Sequence, residues 1–173
     1  MGNFILISGS NNSGKSIFAE SVLDKISDSG IYVATMIAHT EDNLLRIKKH
    51  KNQREKYNFT TVESPYTVRD CITEIEGAVL LEDISNLLAN NIFDKHKDVD
   101  SVFEDVCILK NKCKVLVAVT ISGLKSDGYD YETANYINSL NILNQKLADC
   151  ADMVYEMKNN VPVLVKGETN DFI

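Results

Sequence analysis

Apolar and polar positions fall in short blocks along this chain, and the period of the pattern changes from block to block. Asn3-Phe4-Ile5-Leu6-Ile7-Ser8 is a brief apolar run of strand formers. In Ile17-Phe18-Ala19-Glu20-Ser21-Val22-Leu23 the apolar side chains recur at helical spacing instead, and Asp28-Ser29-Gly30 turns the chain. Ile31-Tyr32-Val33-Ala34-Thr35 predicts a second strand, so the opening reads as a right-handed parallel crossover. Residues 40–57 predict a long polar helix, capped by Thr40 with Asn43 and carrying Glu41 and Asp42 in its first turn. Phe59-Thr60-Thr61-Val62-Glu63 predicts a short strand closed by Ser64-Pro65, and residues 67–75 a helix that Gly77 breaks. Ala78-Val79-Leu80-Leu81 reads as a buried parallel strand that ends in Glu82-Asp83.

The second half continues in the same manner. Helices are predicted over residues 84–93 and 99–111, with a polar connection over 94–100. Residues 114–120 form the clearest buried strand, and 121–130 a loop leaving its carboxyl end. Residues 131–150 predict a long helix with Ala134, Ile137, Leu140, Ile142, Leu143 and Leu147 as its apolar stripe. Residues 151–157 and 161–166 flank Lys158-Asn159-Asn160 and predict a terminal hairpin or two adjacent strands. The whole predicts one α/β domain over residues 1–173: three layers of the P-loop, RecA-like kind, with a mainly parallel central sheet and a C-terminal β-hairpin.

Chemistry enters between the first strand and the first helix. Gly9-Ser10-Asn11-Asn12-Ser13-Gly14-Lys15-Ser16 is G-x-x-x-x-G-K-S, set between strand and helix as a phosphate-binding loop requires. Its glycines let successive N–H groups turn inward as an anion nest, and the helix N-terminus adds its positive end. Lys15 is a mobile charge for β- and γ-phosphates, and Ser16 offers Mg²⁺ a hard oxygen. A second candidate is the basic stretch Arg46-Ile47-Lys48-Lys49-His50-Lys51-Asn52-Gln53-Arg54. From charge alone it is either a solvated face or a phosphate-facing helix, in which neighbouring cations keep His50 neutral and nucleophilic. Glu82 and Asp83 end a strand where a Walker B acid sits; Glu82 is the candidate for holding Mg²⁺ through water or taking a proton, while Asp83 also suits a helix N-cap. His39 closes a strand-to-helix turn and His96 lies in a charged connection; both read as incidental. Tyr129 and Tyr131 read as packing residues able to cover a flat ring.

Composition narrows the partners. The 173 residues are 44% hydrophobic, enough for a core, with net charge −7. That excess of acid argues against a general nucleic-acid grip. Cys71, Cys107, Cys113 and Cys150 have no C-x-x-C spacing and no histidine at zinc-ligand spacing, so they read as reduced structural thiols of a cytoplasmic protein. No run approaches a membrane span, and the N-terminus lacks the features of a signal peptide.

In this order the motifs resemble one P-loop family over nearly the whole chain: the bifunctional adenosylcobinamide kinase / adenosylcobinamide-phosphate guanylyltransferases of cobalamin biosynthesis. Gly9 to Ser16 is similar to the family's G-x-x-x-S-G-K-S, and Tyr32-Val33-Ala34-Thr35 to its Y-I-A-T strand. Arg46-Ile47, His50-Lys51 and Arg54 resemble its R-I-x-x-H-K-x-x-R helix, the most particular of these motifs. Leu80-Leu81-Glu82 through Asn86 to Phe93 and Asn144-Gln145 to Ala151-Asp152 resemble two further segments. The resemblance implies phosphorylation of adenosylcobinamide by ATP or GTP, then transfer of GMP from GTP through a covalent intermediate on His50. It implies Lys15 and Mg²⁺ against the developing charge, Lys51 and Arg54 on phosphates, and Glu82 as metal-side or base carboxylate. Relatives of this kind form homo-oligomers, trimers in particular. The departures cluster: Thr120-Ile121-Ser122-Gly123 stands where the pattern has N-E-V-G, and Ile137-Asn138-Ser139-Leu140-Asn141 where it has R-D-x-x-G. They open two alternatives, a nucleotide-binding homologue that has lost one or both activities, or another small-molecule P-loop kinase with direct transfer.

Overall fold

The computed structural model describes residues 3–72 and 77–168. Strands β1 (Asn3–Gly9), β2 (Gly30–Ala34), β3 (Phe59–Glu63), β4 (Ala78–Glu82), β5 (Val115–Ile121), β6 (Met153–Lys158) and β7 (Val161–Lys166) form one sheet in the order β3-β2-β4-β5-β1-β6-β7. Every neighbouring pair is parallel except β6 with β7, which is antiparallel. The helices are α1 (Lys15–Ile26), α2 (Glu41–Arg54), α3 (Ile84–Lys95), α4 (Val99–Lys112) and α5 (Tyr131–Cys150).

Strand periodicity divides the interior in two. Ile5, Ile7, Leu80, Val117 and Val119 pack with Ala19, Val22 and Leu23 of α1. Phe4, Leu6, Val79, Leu81, Leu116 and Ala118 face the other way, onto α3, α4 and α5. Successive strand residues point to opposite faces, so both faces of β1, β4 and β5 are apolar and the runs are nearly continuous. The same alternation puts Glu82, two residues after Leu80, on the α1 face.

Residues 67–72 are turn and coil rather than the predicted helix; the remainder of that prediction, 73–75, lies outside the described residues. Asp105 of α4 supplies the reason. Its carboxylate accepts from the Val68 N–H at 2.6 Å, the Arg69 N–H at 3.3 Å and Thr67 Oγ1 at 3.0 Å, and Arg69 Nε meets it at 2.5 Å. Backbone donors taken by a buried acid are lost to a helix ladder. Asp105→Ala leaves them unpaired in the interior and is expected to cost about 3 kcal/mol, from roughly 1–3 per abandoned buried group with partial relaxation. Urea unfolding checks this; a loss under about 1 kcal/mol would show that water reaches the segment.

The caps follow the sequence closely. Thr40 accepts from the Asn43 N–H at 3.1 Å and Asp83 from the Asn86 N–H at 2.6 Å. All four cysteines are free thiols, and burial raises each, Cys71 to about 11 and Cys113 to about 12. No described helix is long and apolar enough to cross a membrane.

Candidate functional site

The carboxyl ends of the parallel strands open into a cavity of about 640 Å³. One wall is the loop between β1 and α1, where Gly9, Asn12 and Gly14 all take positive φ. At Gly14, with φ 84°, a Cβ would also lie 2.8 Å from Asn160 Oδ1, so this position suits glycine alone. The Lys15 ammonium donates to the Ser10 carbonyl at 2.5 Å across the loop. Burial lowers the Lys15 pKa, and Asp83 and Glu82 push it back up. Asn11, Asn12, Ser13, Gly14, Lys15 and Ser16 line the cavity directly, whereas Gly9 and Ser10 shape the loop behind them.

Glu82 forms the floor. Ser16 Oγ donates to Glu82 Oε1, and His50 Nδ1 lies 3.9 Å from that same oxygen. Glu82 Oε2 and His50 Nδ1 are both buried without a hydrogen-bond partner. Burial raises the Glu82 carboxyl to about 8, with the Ser16 hydroxyl opposing. Burial also lowers His50, assisted by Arg54, Arg46 and Lys49. At neutral pH the pair is therefore an uncharged imidazole beside a largely protonated carboxyl, not a salt bridge. The basic neighbours act on His50 in the direction the sequence predicts, but burial is the larger cause. Asp83 caps α3, and burial raises it too.

The helix bearing His50 is strongly polar, with Arg54 its one buried residue. Polar contacts hold it against α1 and the sheet. Gln53 Nε2 donates to Glu20 Oε2 of α1 at 2.6 Å, and the Arg54 guanidinium stacks 3.9 Å from the Tyr32 ring centroid. Arg54 also lines the cavity, so its first contacts are with Tyr32 and, at 3.4 Å, with Thr61 Oγ1. Lys51 is more exposed and meets Glu63 at 3.7 Å. Because Glu20 is buried with one oxygen already unpartnered, Gln53→Ala strips the one side-chain donor it has among the described residues. The expected cost is about 1–3 kcal/mol in denaturant unfolding; Gln53→Glu is expected to be no better, since it sets two acids together. An unchanged midpoint in Gln53→Ala would remove this latch from the account.

Further participants join the site; of these, Asn160 and Tyr136 carry no sequence signal of their own. Thr35 ties β2 to β4: its hydroxyl accepts from the Asp83 N–H at 2.7 Å and donates to the Asp83 carbonyl at 2.8 Å. Asn160, in the positive-φ turn between β6 and β7, sits against Gly14 and lines the cavity. Tyr136 of α5 lines it from the far side and donates to the Ser85 carbonyl at 3.0 Å. Thr120 and Ile121 belong to one network: Thr120 Oγ1 lies 2.6 Å from Asn144 Oδ1, and the Asn144 amide donates to the Ile121 carbonyl at 2.8 Å. Ile121 is among the residues lining the cavity and also packs against the core beneath α3, α4 and α5.

Other predicted residues fall elsewhere. His39 is exposed and outside the cavity lining, and His96 closes α3 at φ 53° on the surface. Tyr129 and Tyr131 do not pack; they are 60% and 85% exposed, Tyr129 in the segment that follows β5 and Tyr131 at the start of α5. Among the described residues, no group of three His, Cys, Asp or Glu side chains could hold a metal unaided.

Comparison with known proteins agrees with this arrangement. A Pyrococcus horikoshii OT3 protein superposes with a TM-score of 0.54 at 10% identity, covering 99% of this chain and 89% of its own. A KaiC-like protein from the same organism gives 0.51 at 11%, covering 98% and 82%. An ATPase of the type III secretion system of pathogenic bacteria gives 0.50 at 13%, over 91% of this chain and 51% of its own. At such identities these likenesses show the fold alone, a mainly parallel α/β sheet flanked by helices. A search of the curated proteins finds no match. The family model for cobinamide kinase / cobinamide phosphate guanyltransferase matches residues 5–165. Phosphate loop, buried strand-end carboxylate and histidine-bearing helix thus lie in one cavity of a chain that belongs to the cobinamide kinase / cobinamide phosphate guanyltransferase family.

Proposed function

We propose that this protein phosphorylates adenosylcobinamide with ATP or GTP, and then transfers GMP from GTP to that phosphate by way of a guanylate on His50. One observation carries the reading: Ser16 of the phosphate loop and the His50 ring converge on the same Glu82 oxygen, His50 Nδ1 at 3.9 Å from it.

In the transfer, neutral His50 presents Nε2 while Nδ1, the nitrogen on the Glu82 side, keeps the proton. Nε2 attacks the α-phosphorus of GTP; an N–P bond forms, the bond from the α-phosphorus to the bridging oxygen breaks, and pyrophosphate leaves. The imidazolium so formed holds its proton toward Glu82. A phosphate oxygen of the acceptor then attacks the same phosphorus, the N–P bond breaks, and neutral His50 returns. Lys15 and the loop N–H groups hold the departing charge. In the phosphorylation the acceptor hydroxyl attacks the γ-phosphorus, the bond from that phosphorus to the bridging oxygen breaks and the nucleoside diphosphate leaves; the hydroxyl proton goes to Glu82 in its ionised form, the minor form at neutral pH because burial raises this carboxyl.

Mg²⁺ suits this end of the loop, because the donor set is hard oxygen and Glu82 Oε2 is buried without a partner. Ser16 and Glu82 would hold it, directly or through water, and when bound it neutralises charge on the β- and γ-phosphates. Arg54, locked over Tyr32, supplies a fixed positive field beside His50.

Ile121 favours a second reading, in which catalysis has narrowed to one of the two reactions. Where the family pattern has an acid, Ile121 can neither bind a cation through its side chain nor accept a proton. Incubation with labelled GTP and Mg²⁺, with and without adenosylcobinamide or its phosphate, separates the readings. The full reading expects an acid-labile protein adduct that is discharged onto adenosylcobinamide phosphate, together with phosphorylation of adenosylcobinamide. An adduct without phosphorylation, or the reverse, identifies the surviving activity; nucleotide binding with neither sinks the enzymatic reading.

A further inference from the structure

Away from the cavity, α4 and α5 bring two thiols together. Helical spacing sets Asp100, Phe103, Cys107 and Lys110 on one stripe of α4, and Lys146 and Cys150 one turn apart on α5. Lys146 forms an ion pair with Asp100, and its ammonium lies 4.7 Å from the Phe103 ring centroid. Further along, the Lys110 ammonium donates to the Cys150 carbonyl at 3.1 Å. Cys107 stands on the stripe between those two contacts, and its thiol hydrogen-bonds to that of Cys150. Cys150 Sγ also lies 3.3 Å from the Leu147 carbonyl oxygen. Both thiols are half-buried. Lys166 of β7 closes the group, donating to the Ala148 and Asp149 carbonyls at 2.9 and 2.8 Å. The other two cysteines are placed differently. Cys113 is 4% exposed, and Cys71 lies beside the acid Asp105 rather than among ammonium groups.

From this stripe we propose that Cys107 and Cys150 form a modification site, a dithiol that a low-molecular-weight disulfide such as oxidised glutathione closes into a cross-link between α4 and α5. Thiolate character and access decide which cysteine begins. Burial raises both thiols; at Cys150 the Lys110 charge, the hydrogen bond from Cys107 and the Lys166 charge oppose it, whereas at Cys107 the Cys150 sulfur adds to it. Cys150 therefore ionises first. Its thiolate attacks one sulfur of the small disulfide; that S–S bond breaks, one small thiolate leaves, and a mixed disulfide stands on Cys150. Cys107 then loses its proton to solvent and attacks Cys150 Sγ. The Cys107–Cys150 bond forms, the mixed disulfide breaks, and the second small thiolate leaves. Two protein thiols have given up two electrons and two protons, and one small disulfide has become two thiols. Closure ties residues 107–150 into a loop that holds β5 and α5, which stabilises chiefly by restricting the unfolded chain. Neither cysteine lines the nucleotide cavity, so the inference stands apart from the proposed catalysis.

The test incubates the folded, reduced protein with oxidised glutathione, traps free thiols with an alkylating agent at intervals, and maps the cysteines by peptide mass. In the wild type the Cys107–Cys150 disulfide is expected first, at least about tenfold faster than any bond of Cys71 or Cys113. Cys107→Ser should stop at a glutathione adduct on Cys150, since the resolving thiol is gone. Cys150→Ser should form its adduct on Cys107 at least about tenfold more slowly. The closed wild type is expected to melt roughly 5–10 °C above the reduced protein, and dithiothreitol should reverse the gain. A first disulfide that involves Cys71 or Cys113, a glutathione adduct that persists unresolved on wild-type Cys107 or Cys150, or no reaction at either thiol overturns the proposal. So does a closed protein that melts no higher than the reduced one, because the bond then forms only in a distorted molecule. The wild-type map and melt decide the question even where a serine variant fails to fold.

Discussion

His50→Ala is expected to abolish the GTP-derived adduct, lowering guanylyl transfer by about 10⁴-fold or more, as removal of a covalent nucleophile does. Phosphorylation of adenosylcobinamide should stay within a few-fold of wild type, since the γ-phosphoryl group passes directly to the acceptor. The two outcomes come from one protein in parallel assays, so a general loss of folding cannot imitate them. The physical ground is that α2 contributes little to the core: His50 is 26% exposed, and among the described residues its Nδ1 has no hydrogen-bond partner, Glu82 lying 3.9 Å away. Removing the ring opens a small space at the cavity wall and leaves the Gln53–Glu20 latch and the Arg54–Tyr32 stack in place. A His50→Ala protein that still carries acid-labile label would transfer the nucleophilic role to another residue. Equal loss of both activities would mean that His50 serves the cavity's shape or charge rather than the transfer.

Lys15→Ala is expected to lower both reactions together, by about 10²–10³-fold, the usual loss when one preorganised charge at a transferring phosphoryl group is removed. Each proposed step uses the loop, whether it holds the departing pyrophosphate or the nucleotide that gives up its γ-phosphoryl group. Lys15→Arg should not restore activity. The ammonium is a point charge within hydrogen-bonding reach of the Ser10 carbonyl, 2.5 Å away, and is 8% exposed; the wider guanidinium fork does not fit that space. Stability should change little, because desolvation already works against the Lys15 charge in the fold. Loss of one reaction with retention of the other would show that the two nucleotides do not share this loop.

Together these substitutions divide the cavity into a part common to both reactions and a part used by one.

Much of the fold was legible because its cues are local. Residues 131–150 are helical from end to end as the stripe of Leu140, Leu143 and Leu147 predicts, and Thr40 and Asp83 cap where their side chains suggest. The polar helix stops at Arg54 rather than 57, where Arg54 turns inward onto Tyr32. The predicted helix at 67–72 is absent because its backbone donors are claimed by Asp105, 36 or 37 residues away. No local pattern announces a partner so distant. Tyr129 and Tyr131 fail as packing residues for a related reason: whether a loop lies down on the sheet depends on what it meets there.

The site divides along the same line. Sequence alone determined that a phosphate loop follows β1, that an acid ends β4, and that a histidine stands among cations on α2. Those are facts of spacing, since backbone conformation, strand ends and helix faces are set by residues close in the chain. Only the tertiary structure decided that Ser16 and His50 share one Glu82 oxygen, that burial more than charge keeps the ring neutral, and that Asn160 stands in the cavity wall. Those depend on strand order and on how deeply each group is removed from water, and both are properties of the assembled sheet rather than of any stretch of sequence.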